Sequence, residues 1–207
     1  MVERLDHERP FDEDVVAVAV KQLGPSIGAE IHGLDATKPL DKETVETIGD
    51  ALLEHGVLIF RDQDITREQQ VAFTAQFGTL TIHPISPHLE ELPEMIVLDN
   101  DGENPPLSTD VWHSDETFRE CPPLGTCLRA LSVPKVGGDT IFASMSAAYE
   151  GLSDRMKSFI SGLEAVHDFK PFKKLFSNDE EGRKNLKDYE LMYPPVIHPV
   201  VRTHSLT

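Results

Sequence analysis

The sequence predicts an α+β fold with a mainly β core. Three observations carry this. Short β-branched apolar runs recur from VVAVAVKQL (15–23) to PPVIHPVVRTHSLT at the end. Helical periodicity behind capping residues is confined to 41–56, 66–77 and 144–163. No internal repeat, glycine-rich phosphate loop, Gly-x-Ser-x-Gly elbow or Cys-x-x-Cys pair is present, which removes the usual nucleotide, hydrolase and zinc-ribbon readings. The chain has 207 residues and 39% hydrophobic content, enough to bury the core of one domain.

In chain order, 15–23 reads as a strand, Gly24-Pro25 as a turn, and IGAEIHGLD as a second short strand or loop. Asp41 is placed to cap a helix whose inner face is Val45, Ile48, Ala51 and Leu52, with Gly56 as its stop. VLIF (57–60) reads as a short buried strand. Thr66 and Gln69 have capping-box spacing, and the helix they open is expected to run to Phe77, with Phe73 and Phe77 on one face.

MIVLDND (95–101) and LRALSVP (128–134) read as strands, and Gly137-Gly138 as the turn leading into DTIFA. Ser144 and Ser153 open two helical stretches. In the second, Met156, Phe159, Ile160 and Leu163 recur at helical spacing. The lysine-rich segment 170–189 reads as a mobile surface segment or lid, and the C-terminal PPVIHPVVRTH as a proline-opened strand.

The net charge of −17 disfavours nucleic acid and anionic lipid as partners, while leaving room for a local pocket that takes a small anion. No stretch approaches the ~20 apolar residues of a membrane helix. The start, MVERLDHERPFDED, has no apolar run behind a basic patch, so the expected compartment is cytoplasmic. Cys121 and Cys127 are read as reduced, small apolar residues.

The chemistry concentrates in WHSDETF (112–118). On a strand, residues two apart face the same way, so His113 and Asp115 can aim one imidazole and one carboxylate at a single point. An N and an O donor make two corners of a facial triad, the arrangement that leaves positions open on non-haem Fe(II). Trp112 and Phe118 are placed to wall such a site against water. Alone, His-x-Asp is a weak pattern. His88-Leu89-Glu90 repeats it by residue type in a proline-rich loop without aromatic neighbours, and is discounted.

The longer run WHSDETFRECPPLGTCLRALSVPKVGGDTIFASMSAAYEGL is more specific. With GAEIHGLD, HGVLIFRDQ (55–63), FGTL (77–80), HDF (167–169) and HPVVRTH (198–204), it resembles the TauD/TfdA family of Fe(II)- and 2-oxoglutarate-dependent dioxygenases over nearly the whole chain. The resemblance implies a double-stranded β-helix (a jelly-roll, cupin-like core) with flanking helices as a single domain over 1–207. It also implies Fe(II) and 2-oxoglutarate as cofactors, and O2 and a small organic acid as substrates. The implied reaction hydroxylates that acid and releases succinate and CO2.

Residue by residue, His113 and Asp115 match two iron ligands, and Thr140 matches a residue that hydrogen-bonds 2-oxoglutarate. Phe118 would line the cosubstrate pocket, and His83 matches a substrate-facing histidine. The bland readings stay beside these: Thr140 as an ordinary strand threonine, Gly137-Gly138 as a hairpin, His83 as a surface residue and Phe118 as core.

The sequence also departs from the family pattern. The family's third ligand, a distal histidine, and its 2-oxoglutarate arginine match no position up to Thr207. His198, His204 and Arg202 match other family positions, so none is assigned to iron or cosubstrate. The chain is therefore expected to be C-terminally truncated, to lack closing strands, and to self-associate as a homo-oligomer through an open sheet edge. Ser86 and Thr109 stand where taurine-type members carry a tyrosine and an asparagine. This argues against taurine and leaves another sulfonate, an alkyl sulfate or an aryloxyacid. The alternative expectations are a pseudoenzyme-like member that binds metal weakly or serves in assembly, and a zinc enzyme using the same pair.

Overall fold

The computed structural model describes residues 18–84, 86, 89–99, 111–169, 176 and 178–207. Thr109, His88, the first three residues of the 15–23 run and much of 170–177 lie outside them. The described residues mix strands and helices, as the α+β reading expects.

Strand β1 (Ala19–Gln22) pairs antiparallel with β2 (Ala29–His32) across the Gly24-Pro25 bend. Helix α1 (Lys42–His55) then returns the chain so that β3 (Leu58–Phe60) lies parallel to β2. Asp41 caps α1 by accepting from the Thr44 N–H at 2.7 Å. Gly56 ends the helix at φ 69°, where a side chain would be strained, and its N–H bonds back to the Leu52 carbonyl. Ile48 and Ala51 from α1 and Ala29 and Ile31 from β2 are buried. The helical face and the two strands therefore share one core.

Thr66 and Gln69 form the full capping box of α2 (Arg67–Thr74), a device worth about 1 kcal/mol. The α-helix stops at Thr74, and Ala75–Phe77 tightens into a 3₁₀ turn, so the expected continuous helix to Phe77 is corrected there. Phe73 is buried edge-on between Phe60 (5.4 Å) and Phe77 (5.3 Å), which fastens α2 to β3.

The middle of the chain departs from the sequence expectation. Of 95–99, only Ile96 makes an isolated bridge, and neither 128–134 nor 139–143 is a strand. A β-branched run becomes a strand only where a neighbour meets its backbone N–H and C=O groups. Instead, side chains lay the 127–129 stretch against α2. Gln70 Nε2 donates to the Cys127 carbonyl at 3.3 Å, and Arg129 donates to the Thr66 carbonyl at 3.0 Å. Cys121 and Cys127 are both free thiols, and both are exposed.

Ser144 and Ser153 cap α3 (Met145–Glu150) and α4 (Asp154–Ile160). The apolar face of α4 is exposed, with Phe159 at 70%. Strands β4 (Glu164–His167) and β5 (Val196–Pro199) form a separate antiparallel pair, and α5 (Glu180–Met192) connects them. Their register sets Ala165 opposite His198 and His167 opposite Val196 on one face, and Val166 opposite Ile197 on the other. No helix among the described residues is long and apolar enough to cross a membrane.

Candidate metal centre

His113 and Asp115 do come together, but not by the expected route. The chain at 112–114 is irregular and 115–118 is a turn, so the strand argument for their shared direction is corrected. The Arg119 N–H closes the turn on the Glu116 carbonyl at 2.9 Å, and Glu116 takes the left-handed φ of 48°. A non-glycine residue in that conformation is costly unless its surroundings hold it there.

The imidazole of His113 is set by its own backbone. Its Nδ1 lies 2.9 Å from the Val111 carbonyl, which can only accept, so Nδ1 carries the proton. In the neutral ring Nε2 then has a free lone pair, and it stands 3.6 Å from Asp115 Oδ1. The other oxygen of Asp115 accepts from Thr126 Oγ1 at 2.9 Å. Each donor is thus held from behind by a second group, as metal ligands commonly are.

The side chains of His113 and Asp115 are 59% and 55% exposed, so the pair opens to solvent. One imidazole nitrogen and one carboxylate fit two positions of a ferrous facial site. Among the described residues, no group of three or more His, Cys, Asp or Glu converges on one point.

Phe118, in the same turn as Asp115, is buried and meets the rings of His83 (6.3 Å), Phe169 (6.4 Å) and Tyr193 (5.5 Å) edge-on. Trp112, expected as a second wall, is 69% exposed and points to solvent; only Phe118 is enclosed. His83 accepts the Ser86 N–H on Nδ1 at 2.9 Å, so these two candidates adjoin. Burial pushes the His83 imidazole below its ordinary pKa. The Glu116 carboxylate opposes this, the Arg119 charge adds to it, and Asp115 opposes it. The ring contact with Phe118 sets His83 beside the 115–118 turn.

Thr140 follows Gly137 and Gly138, both left-handed at φ 77° and 74°, on an exposed loop. No hydrogen bond among the described residues joins it to the cluster.

Several residues around the turn carried no assignment from sequence. Thr126 orients Asp115. Arg119 pairs with the nearly buried Glu116, donates to the Ile82 carbonyl at 3.0 Å, and lies over the rings of Phe118 and Tyr193. Tyr189 of α5 donates to the Pro84 carbonyl at 2.7 Å, so the charged segment read as a lid touches the His83 loop. His198 faces the carbonyls of Thr117 and Arg119 with Nε2 at 3.0 Å each. A nitrogen facing two acceptors carries a proton, so this Nε2 has no lone pair for a metal. His204 Nδ1 accepts from the Leu206 and Thr207 N–H groups at 3.3 Å.

Comparison with known proteins agrees with this architecture. The chain is 38% identical over 149 residues to an alkylsulfatase of Acinetobacter baylyi, covering 72% of this chain and 46% of that protein. It is 33% identical to an alpha-ketoglutarate-dependent sulfate ester dioxygenase of Pseudomonas putida, covering 91% of this chain and 63% of that one. A taurine dioxygenase structure from Burkholderia xenovorans superposes with a TM-score of 0.71 at 36% identity, covering 92% of this chain and 60% of that one. The structure of AAD-2 in complex with Mn(II) and N-oxalylglycine gives a TM-score of 0.65 at 30% identity, covering 92% and 66%. The chain therefore spans about half to two thirds of the length of these relatives. The profile of the family described as "Taurine catabolism dioxygenase TauD, TfdA family" matches residues 19–207, and the chain belongs to that family.

Proposed function

We propose that this chain carries the His–Asp part of the metal centre of an Fe(II)- and 2-oxoglutarate-dependent dioxygenase. Its substrate is a small organic acid of the sulfonate, alkyl sulfate or aryloxyacid type, and its coproducts are succinate and CO2. The observation that carries the reading is the seat of the His113 ring, with Nδ1 2.9 Å from the Val111 carbonyl and Nε2 turned to Asp115 at 3.6 Å. The relatives named for sulfate ester oxidation, and the neighbour bound to Mn(II) and N-oxalylglycine, support the same direction.

Bound there, the metal would supply O2 activation coupled to oxidation of 2-oxoglutarate. The protein groups orient and desolvate. Thr126 fixes the Asp115 carboxylate, and Phe118 closes the apolar side of the turn. We assign Thr140 to a 2-oxoglutarate carboxylate, with Gly137-Gly138 shaping its loop. His83, Ser86 and Thr109 are assigned to the substrate side. The half-buried, desolvated ring of His83 suits a neutral hydrogen-bonding partner for an anionic head group.

We extend the reading to a double-stranded β-helix core in one domain, with 170–189 as its lid. The contact of Tyr189 with Pro84 supports the lid, since it joins α5 to the substrate-side loop. Self-association is supported by the outward pair Val166 and Ile197, which are 70% and 62% exposed.

The test is incubation of the purified chain with Fe(II), 2-oxoglutarate, O2 and a panel of alkyl sulfates, sulfonates and aryloxyacids. The expected result is succinate formed one-to-one with oxidised substrate for one of these classes, and none in His113→Ala. Substrate turnover with zinc in the absence of O2 would contradict it.

A further inference from the structure

The turn that carries Asp115 is held by a residue about eighty positions away. Strand β5 sets His198 on the same face of the β4–β5 pair as His167, and the two rings meet edge-on at 5.1 Å. From there the single Nε2–H of His198 reaches the carbonyls of both Thr117 and Arg119, each at 3.0 Å. Those carbonyls bracket Phe118, three residues beyond Asp115, in a turn whose Glu116 sits at a left-handed φ of 48°. A strained residue holds such a conformation only where its surroundings fix it. The Glu116–Arg119 ion pair is local to the turn and cannot fix the turn against the rest of the molecule. His198 and the Arg119 bond to the Ile82 carbonyl can, because they reach other parts of the chain.

We infer that His198 is a positioning residue for the metal centre: its Nε2–H clasps the 117–119 backbone and thereby sets where the Asp115 carboxylate stands relative to His113. The inference rests on the metal-centre reading above. Among the described residues no hydrogen bond or ring contact joins His198 to the donor pair, and it acts through the backbone it holds.

The experiment compares His198→Leu, which removes the donor, with His198→Gln, whose amide N–H can replace it. His167→Leu controls for disturbance of the strand pair. Hydrogen exchange is followed for the peptide spanning 113–120 in metal-free protein, with an α1 peptide reporting global folding. Mn(II) affinity is measured in parallel by loss of the free-ion paramagnetic resonance signal, with His113→Ala marking the site.

The expected result for His198→Leu is faster exchange confined to 113–120 and Mn(II) binding weakened by about tenfold or more. His198→Gln is expected to restore both, and His167→Leu to change neither. Wild-type exchange and affinity in His198→Leu would overturn the inference, as would a glutamine variant as impaired as the leucine one. If the leucine variant does not fold, His198→Gln is compared with His198→Asn, whose shorter amide cannot reach. A loosened turn in the asparagine variant alone supports the clasp, and equal behaviour overturns it. Unchanged Mn(II) affinity in His113→Ala would sink the metal assignment, while the exchange data would still decide the clasp.

Discussion

The Nε2 of His113 stands 3.6 Å from Oδ1 of Asp115, too long for a good hydrogen bond and short enough for both atoms to reach one cation. The Val111 carbonyl fixes which imidazole nitrogen faces Asp115. Among the described residues, removing the carboxylate leaves one donor of the pair, and a lone imidazole holds a divalent ion only weakly. Asp115→Ala is expected to abolish Fe(II) binding, read by equilibrium dialysis under argon. Retained stoichiometric iron would remove Asp115 from the ligand set.

Thr126 tests the support behind that ligand. Its hydroxyl donates to Asp115 Oδ2 at 2.9 Å, so Thr126→Val keeps the shape and deletes the bond. Groups that orient a ligand typically change metal affinity by ten- to a hundredfold. The valine variant is expected to bind Fe(II) about tenfold more weakly with its thermal midpoint little changed. An equal affinity would mean the hydroxyl is incidental.

Thr140 separates cosubstrate from metal. It lies on the loop shaped by Gly137 and Gly138, with no hydrogen bond to the His113–Asp115 pair among the described residues. Thr140→Ala is accordingly expected to weaken 2-oxoglutarate binding, measured calorimetrically, and to spare Fe(II). Equal loss of both would assign Thr140 a structural role.

His83 makes a prediction about acid stability. Burial lowers its pKa, so the native state favours the neutral ring that accepts from the Ser86 N–H. The unfolded histidine titrates near about 6.5. Below that pH the unfolded chain takes up a proton that the native ring resists. The stabilising contribution is therefore full above about 6.5 and is lost as pH falls through the lower native value. His83→Gln is expected to flatten the fall in thermal midpoint between roughly pH 7 and 5. An unchanged slope would show that His83 does not contribute to it.

Local signals were legible in the sequence and non-local ones were not. Asp41, Thr66, Ser144 and Ser153 cap the helices they were expected to cap, because a cap bonds only two or three residues ahead. The 128–134 stretch has strand composition, yet Gln70 and Arg129 tie its start to α2, and no sequence window contains that partner. The His113–Asp115 juxtaposition was anticipated from strand alternation, but a turn and the Val111 carbonyl produce it. Phe118 was legible as core because an aromatic ring has few other places to go. Trp112, in the same short run, shows the weakness of that argument, since it lies in solvent. The grip of His198 on the 117–119 backbone spans about eighty residues, and no sequence window contains both ends.

The most direct test is an anaerobic titration of the purified chain with Fe(II) and 2-oxoglutarate, watching the visible charge-transfer band of the metal-bound cosubstrate. The account predicts a band that saturates at one equivalent of iron and is absent from His113→Ala. A folded chain that shows no band, or a band that persists in His113→Ala, would contradict the placement of the metal centre at His113 and Asp115.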